Sequence, residues 1–327
     1  MSFILRRLAF YLVAAWVAIT ANFFLPRAMP GNPLAAVIAK NPGLDANAMK
    51  ALEAQFGQGN QGSLLHQYVV YIGHVFTFNF GQSLTLDESV KSVIASVVWW
   101  TIGLVGLSTV IAFALGTVLG IAAGWRPGGR LDRSLPVMMF FQATPYFFLA
   151  LILVQVLGLE LHWFPVASTY DPQYYTPGWN WPYLTNLIDH GTLPALTIVI
   201  TSVAGWMLQM RNVMVTTVSE DYVIAAQAKG LSDRRVVFSY AARNAMLPQL
   251  QGFGLALGFV IAGALVMELV FSYQGVGFTL LSAATAKDVP LMQGIFLLIT
   301  LLVLLVNFIV DFVIVFVDPR VRVREAK

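Results

Sequence analysis

The chain has 327 residues, of which 58% are hydrophobic and 11% are charged. An average soluble domain has about 45–50% apolar and about 25% charged residues, so the composition excludes a typical soluble enzyme. The formal net charge of +3 is small and the basic residues are scattered, which argues against a nucleic-acid-binding surface. The chain contains no cysteine, which excludes disulfide scaffolds, thiol catalysis and zinc–thiolate sites.

Six apolar stretches are each long enough to cross a bilayer as a helix, which takes about 20 residues. They lie at 8–28, 97–125, 135–158, 193–215, 249–271 and 293–317. The stretches are apolar on all sides, whereas the strands of a membrane barrel are short and alternate in polarity. The sequence therefore predicts an all-α integral membrane protein with six transmembrane helices.

The basic residues predict the orientation of these helices. If the N-terminus is cytoplasmic, 14 of the 19 Lys and Arg residues fall on the inner side and 5 on the outer side. Because Lys and Arg accumulate in cytoplasmic loops, both termini are expected to be cytoplasmic. An alternative for the first stretch, which follows Arg6 and Arg7, is a secretory signal peptide. Its apolar run is longer than such a peptide needs, and no clean Ala-x-Ala cleavage site follows it.

The predicted helices divide the chain into three parts. Residues 1–28 hold the N-terminus and the first transmembrane helix, and residues 29–96 are expected to form an extracytoplasmic cap with amphipathic stretches at 45–56 and 64–76. Residues 97–327 form a five-helix core. Within the core, the outer segment 159–192 is rich in Trp and Tyr and is interpreted as an interfacial aromatic belt. A stacking surface for a sugar or a peptide is the alternative.

A polar insertion of about thirty residues, 219–248, lies on the predicted cytoplasmic side. Residues 221–229 favour a helix, and Gly230 is suited to the left-handed conformation that ends one. The hydroxyl group of Ser232 is predicted to cap a second short helix, which Pro248 ends before the next span begins. Two short helices joined in this way would form a compact knob.

The knob has two interpretations. The small side chains of Ala225, Ala226 and Ala228 would leave its backbone accessible, as a protein-docking element requires. Alternatively, the insertion is an amphipathic loop that lies on the lipid headgroups, and basic residues such as Arg234 and Arg235 contact the lipid phosphates.

Several kinds of chemistry have no support in the sequence. The phosphate-binding pattern G-x-x-x-x-G-K-[ST] does not occur, so ATP binding by this chain is not expected. His66, His74, His162 and His190 do not have the spacing of metal ligands, and no metal site is expected. The nucleophile pattern G-x-S-x-G does not occur either.

Three polar residues inside the predicted spans are candidates for function. Glu268 lies near the outer end of the fifth span, and Asn307 and Asp311 lie one turn apart in the sixth. A proton relay would need such residues, but isolated polar groups also hydrogen-bond neighbouring helices, and we favour that structural role.

Gly116, Gly120 and Gly124 recur every four residues along the second span. This spacing places them on one helix face and predicts close helix packing.

The loop sequence resembles a known family: the integral membrane permease subunits of binding-protein-dependent ABC importers, in the oligopeptide and dipeptide branch and its B-type subunit. The coupling-loop signature of that branch is similar to Asp221-Tyr222-Val223-Ile224-Ala225-Ala226-Gln227-Ala228-Lys229-Gly230-Leu231-Ser232, followed by Arg234-Arg235 and Arg243-Asn244-Ala245-Met246-Leu247-Pro248. Further matches in family order are Gly31-Asn32-Pro33, Asn79-Phe80-Gly81, Leu131-Asp132-Arg133, Thr144-Pro145, Leu193-Pro194, Phe271-Ser272-Tyr273 and Asp318-Pro319-Arg320.

The chain departs from the family pattern at two positions. The general importer pattern has a Glu where this chain has Ile224, and a turn position commonly filled by Pro is Gln274. These differences put a specific acidic contact and the local turn geometry in doubt. They leave the resemblance intact.

The resemblance implies a type I ABC importer permease fold in a bacterial or archaeal cytoplasmic membrane. It assigns ATPase coupling to Asp221, Tyr222, Ala225, Ala226, Ala228, Lys229, Gly230, Leu231 and Ser232. The implied partners are a second homologous permease subunit, two cytoplasmic ATPase subunits that carry ATP and Mg, an extracytoplasmic solute-binding protein and membrane lipid. No cofactor bound by this chain and no nucleic acid are implied.

The implied function is uptake of dipeptides or oligopeptides by alternating access, in which the chain itself is not an enzyme. Members of the same branch carry oligosaccharides, nickel complexes or glutathione, so these substrates stay open. A proton-coupled secondary transporter is an alternative of a different class. The inverted repeat or broken helices that such a transporter would show are not seen in the sequence.

Overall fold

In a computed structural model, residues 2–28, 63–263 and 265–317 are described. The amphipathic stretch predicted at 45–56 lies outside these residues. The described chain is helical, and its sole strand-like pairing is an isolated bridge between Gln82 and Ser89. The helical prediction is therefore confirmed.

Eleven helices are named here in chain order. They are α1 (Ser2–Ala28), α2 (Leu64–Phe76), α3 (Val90–Trp125), α4 (Arg130–Ala143), α5 (Tyr146–Glu160), α6 (Trp181–Val218), α7 (Asp221–Ala228), α8 (233–263), α9 (Leu265–Val270), α10 (Val276–Thr285) and α11 (Val289–Val317). Three of them contain π-helical segments, at Ile102–Gly106, Val154–Glu160 and Val236–Ala241. Helix α2 has the bounds that the sequence predicts.

Four of the described helices are long and apolar enough to cross a membrane: Leu5–Leu25, Val90–Trp125, Trp181–Val218 and Val289–Phe312. Helices α4 and α5 form a fifth candidate, but they meet at an angle of 92°. The stretch predicted as the third span, 135–158, is therefore divided between two helices. The break lies at Thr144, which is extended (φ −72°, ψ 126°), because the ring of Pro145 disfavours helical backbone in the residue before it.

Helix α6 begins twelve residues earlier than the sequence predicts, at Trp181 instead of residue 193. The side chain of Asn180 caps it by accepting a hydrogen bond from the Tyr183 backbone N–H at 2.9 Å. Pro182 in the first turn has a backbone angle that suits a helix start. Because residues 181–192 include several polar and aromatic side chains, hydropathy alone does not place them in the span.

The chain forms two compact units. The described parts of the first come from Met1–Trp99 and Gly275–Leu304, and those of the second from Trp100–Gln274 and Leu305–Lys327.

In the first unit, apolar and polar contacts join α1, α2 and α11. Ile19, Val75 and Leu297 form a buried apolar cluster. The side-chain amide of Asn22 donates to the Tyr71 hydroxyl and to the Gln293 backbone carbonyl, both at 3.0 Å. Polar pairing of this kind supplies specific helix contacts in an apolar environment.

A buried aspartate also ties the segment before α3 to the start of α11. The Asp288 carboxylate is fully buried and accepts hydrogen bonds from the Thr85 hydroxyl at 2.8 Å and from the Thr85 backbone N–H at 3.1 Å. It also accepts from the Ser83 hydroxyl and from the Leu291 backbone N–H in the first turn of α11. Asp288 therefore caps α11 and fixes the 83–85 segment at the same time.

In the second unit, α3 packs closely against α6 along the three glycines. A Cβ atom placed on Gly120 would lie 2.6 Å from the Met207 carbonyl oxygen and 2.6 Å from the Met210 Cβ. The corresponding positions at Gly116 and Gly124 would lie 2.5 Å from the Trp206 Cβ and 2.4 Å from the Met214 Cβ. The prediction of a glycine packing face is therefore confirmed.

An ion pair holds the start of α4 against α6. The guanidinium group of Arg211 donates to both oxygens of Asp132, from Nε at 2.9 Å and from Nη2 at 3.2 Å. This bidentate geometry orients both side chains.

Candidate functional site

The predicted knob is present and begins with helix α7. Glu220, just before the helix, has extended backbone (φ −73°, ψ 142°), and Asp221 supplies a negative charge in the first turn, where the helix dipole favours it. Gly230 follows the helix with φ +73°, and its N–H donates to the Gln227 carbonyl at 2.9 Å. The predicted helix end at Gly230 is confirmed, because this left-handed angle is one that glycine adopts readily.

One face of α7 is buried and the other is exposed. Val223 and Ala226 are buried in an apolar cluster with Met210 and Met214 of α6 and with Val236 of α8. The expectation that Ala226 lies accessible is therefore wrong. Ala226 follows Val223 by three residues, so the two side chains lie on the same face of α7, and both pack against the cluster beneath the helix.

Four of the six exposed residues of α7 are small or largely apolar, and the other two, Asp221 and Gln227, are polar. Ala225 and Ala228 are exposed, as the sequence predicts, and Ile224 and Tyr222 are 50% and 38% exposed. The charged residues of the segment, Asp221 and Lys229, lie at its two ends. An exposed apolar face on a helix that is anchored from below is typical of a protein-docking element.

The element after the link at 229–232 differs from the prediction. Ser232 occupies the position before the next helix, but its hydroxyl makes no capping hydrogen bond; its backbone carbonyl accepts from the N–H groups of Arg235 and Val236 instead. The helix then continues through the π-helical segment Val236–Ala241 into Ala242–Gly263.

Pro248 therefore does not end this helix but lies inside it. The fixed φ angle of proline is compatible with a helix, and the residue forfeits a single backbone hydrogen bond, a loss that membrane helices tolerate. The knob is thus one short helix, α7, packed against the start of a long helix, α8.

Short connections make this arrangement rigid. Ser219 and Glu220 alone separate the end of α6 from α7, and Leu231 beyond Gly230 packs against the buried cluster beneath α7. A force on α7 is therefore carried directly to α6 and α8.

The predicted intramembrane residues lie on other helices. Glu268 of α9 is fully buried and accepts a hydrogen bond from the Thr101 hydroxyl. Tyr273, in the turn that follows α9, is also buried; burial, the Glu268 carboxyl group and Tyr183 together raise the pKa of its hydroxyl. Asn307 and Asp311 share one face of α11, and the Asn307 Oδ1 atom is buried with no hydrogen-bond partner among the described residues. None of these residues lies in the knob.

Beside the knob the structure shows a feature that sequence reasoning missed. Ser232, Arg234, Arg235, Phe238 and Ser239 line a shallow depression of about 440 Å³ at the start of α8. The signal in the sequence was the spacing of three and four residues from Arg235 to Phe238 and Ser239, which places them on one helix face. We call this feature the arginine depression.

Comparison with known proteins identifies the family. Residues 116–323 match the family described as the binding-protein-dependent transport system inner membrane component. The chain belongs to this family. As a family member with several helices suited to crossing a membrane, it is a multi-pass permease component of the inner membrane.

Three relatives match this permease over nearly all of both chains. It is 32% identical to the di/tripeptide transport system permease protein of Pseudomonas aeruginosa, covering 98% of this chain and 99% of the relative. It is 30% identical to the glutathione transport system permease protein of Escherichia coli K12, covering 99% and 100%. It is 27% identical to the dipeptide transport system permease protein of Lactococcus lactis, covering 98% and 99%.

Proposed function

We propose that the chain is one of two permease subunits of an ATP-driven importer that takes up peptides. In this proposal an extracytoplasmic binding protein delivers the peptide, and the two permeases pass it inward by alternating access. Two ATPase subunits on the cytoplasmic side carry ATP and Mg and drive the cycle.

The observation that carries the proposal is the anchored, apolar knob. Helix α7 exposes Ile224 and Ala225 while Val223 and Ala226 fix it to α6 and α8. A cleft on an ATPase subunit could hold this face and move it when ATP binding closes the ATPase pair. The chain itself has no G-x-x-x-x-G-K-[ST] pattern, so ATP hydrolysis requires a separate polypeptide.

The topology belongs to the same proposal. We infer six spans, with both termini and the knob in the cytoplasm. The excess of Lys and Arg in the inner segments supports this orientation. The bent pair α4–α5 supplies the third span, and α8 with α9 supplies the fifth.

The peptide substrate is inferred from the relatives, which are named for dipeptides, di/tripeptides and glutathione. Glutathione is itself a small peptide, so the three names share one substrate chemistry. Oligosaccharides and nickel complexes are the substrates to compare against it.

The first test is reconstitution of the importer with its ATPase subunits and binding protein in liposomes. We expect ATP-dependent uptake of trialanine and none of maltotriose or nickel–histidine. Uptake of maltotriose without trialanine would replace the peptide proposal with the sugar alternative. If the chain purifies from its own membrane without any ATPase subunit, the proposed importer assembly is refuted.

A second test addresses the knob directly. Ala225→Glu places a charge on the exposed face of α7, where it would lose water on docking, and one unpaired buried charge costs about 2–5 kcal/mol. We expect uptake of trialanine to fall at least about tenfold while membrane insertion is unchanged.

Pro127→Glu serves as the matched control, since Pro127 is exposed in the other predicted cytoplasmic loop. It should transport normally. Gly230→Pro should behave like Ala225→Glu, because proline cannot adopt the φ of +73° found there. Normal uptake by Ala225→Glu would refute the docking role of α7.

A further inference from the structure

We propose that the arginine depression receives a carboxylate of the cytoplasmic ATPase subunit and thereby determines which ATPase docks. The inference rests on the proposed function, and it concerns a contact beside α7 rather than α7 itself. The partner group is an acidic side chain at the rim of the ATPase cleft that holds α7.

The depression is built to bind an anion. Its five residues are all exposed, and they contribute two guanidinium groups, two hydroxyl groups and one aromatic ring, with no carboxylate among them. Within the described ranges, no Asp or Glu lies at ion-pair distance from Arg234 or Arg235. The Ser232 hydroxyl makes no capping bond and is available as a donor.

Guanidinium groups favour carboxylates for a geometric reason. The planar fork of arginine donates two parallel N–H bonds to the two oxygens of one carboxylate, which gives both affinity and orientation. The hydroxyls of Ser232 and Ser239 can complete the set of donors. Phe238, which is 58% exposed, offers an apolar wall for the methylene groups of an incoming Glu or Asp.

The position of the depression favours a protein partner over a lipid headgroup. Helix α8 has no charged residue after Arg243, so the part of α8 that lies in the apolar membrane core begins after this residue. Arg234 precedes it by nine residues, which is about 14 Å along a helix. The headgroup layer of one leaflet is about 5–8 Å thick, so Arg234 lies beyond it where this part of α8 runs along the membrane normal.

The two charged residues at the ends of α7, Asp221 and Lys229, are of opposite sign, whereas the lining of the arginine depression has two cations and no anion. The exposed face of α7 carries Ile224 and Ala225, and an apolar contact binds any apolar cleft of suitable shape. Charged groups at the edge of an interface suppress wrong partners and speed association. The arginine depression lies directly after the link from α7 and is placed to supply this selectivity.

The test uses the permease pair co-expressed with its own ATPase subunits, purified in mild detergent through a tag on this chain. The double variant R234E/R235E reverses the charge of the depression. The control R126E/R130E makes the same charge change at two exposed arginines of the other predicted cytoplasmic segment. The amount of ATPase subunit recovered per permease is measured in 0.05, 0.15 and 0.5 M NaCl.

We expect R234E/R235E to reduce ATPase recovery at 0.15 M NaCl at least about tenfold, and the control to stay within about twofold of the unsubstituted chain. Recovery with the unsubstituted chain should fall as salt rises, because salt screens exposed charge pairs. R234K/R235K keeps the charge but loses the planar fork, and should give intermediate recovery.

Equal recovery with R234E/R235E and the unsubstituted chain would overturn the inference, as would an equal loss in the control. If R234E/R235E keeps its ATPase subunits but loses binding to liposomes that contain phosphatidylglycerol, the depression is a lipid site and the inference is wrong. If the unsubstituted chain recovers no ATPase subunit at all, the proposed function fails. That result is distinct from failure of the arginine contact.

Discussion

Substitution of Gly120 tests the close contact between α3 and α6. In Gly120→Ala, the added Cβ would lie 2.6 Å from the Met210 Cβ, whereas carbon atoms pack at about 3.5–4.0 Å. The two helices would have to separate locally by about 1 Å. Overpacking of this kind costs about 1–3 kcal/mol, and it is partly offset because alanine favours a helix over glycine by about 0.5–1 kcal/mol.

The matched control is Gly191→Ala on the facing helix α6, where a Cβ would meet no atom within 4 Å. Both variants gain the same helix preference, so the difference between them isolates the overpacking cost. We expect Gly120→Ala to be less stable than Gly191→Ala by about 1–3 kcal/mol.

The assay is unfolding of the purified chain in mixed micelles with increasing SDS, followed by circular dichroism. Equal unfolding midpoints for the two variants would refute the close approach of α3 and α6. A Gly120→Ala midpoint above that of Gly191→Ala would refute it as well.

Two further predictions concern buried and half-buried carboxylates. Asp288→Ala leaves the donors of Ser83 and Thr85 without an acceptor and should destabilise the protein by about 3 kcal/mol or more in thermal unfolding. Asp288→Asn should be destabilised less, because one acceptor oxygen remains. Equal melting temperatures for the unsubstituted protein and the two variants would contradict this prediction. Asp132 and Arg211 are partly exposed (side chains 12% and 27%), so a double-mutant cycle with Asp132→Ala and Arg211→Ala should give a coupling energy of only about 0.5–1 kcal/mol. A value near zero would show that this ion pair does not stabilise the contact between α4 and α6.

The features that the sequence predicted well depend on local chemistry. The end of α7 at Gly230 follows from the left-handed angle that glycine permits, and the packing of α3 follows from glycines spaced four residues apart. Helix α2 was predicted with its bounds because an amphipathic run is a strong local signal.

The features that the sequence predicted poorly depend on tertiary context. Pro145 and Pro248 carry the same local signal, yet the chain bends by 92° at the first and continues as a helix through the second. Which proline breaks a helix is decided by what surrounds it, and one sequence does not report this. Likewise, positions 225 and 226 are both alanine, and only the packing of α7 on Met210 and Met214 shows that Ala226 is buried.

The continuity of α8 has a mechanical consequence. From Asp233 to Gly263 the helix is about 46 Å long, and Pro248 is its middle residue. A rigid rod that tilts about its centre moves both ends by equal amounts in opposite directions. If α8 tilts as one body about Pro248, an inward push of about 3 Å on its cytoplasmic end becomes a swing of about 3 Å in the opposite direction at the far end of the rod. The helix would then transmit the displacement of its cytoplasmic end to its far end, within the fifth span, without changing its size.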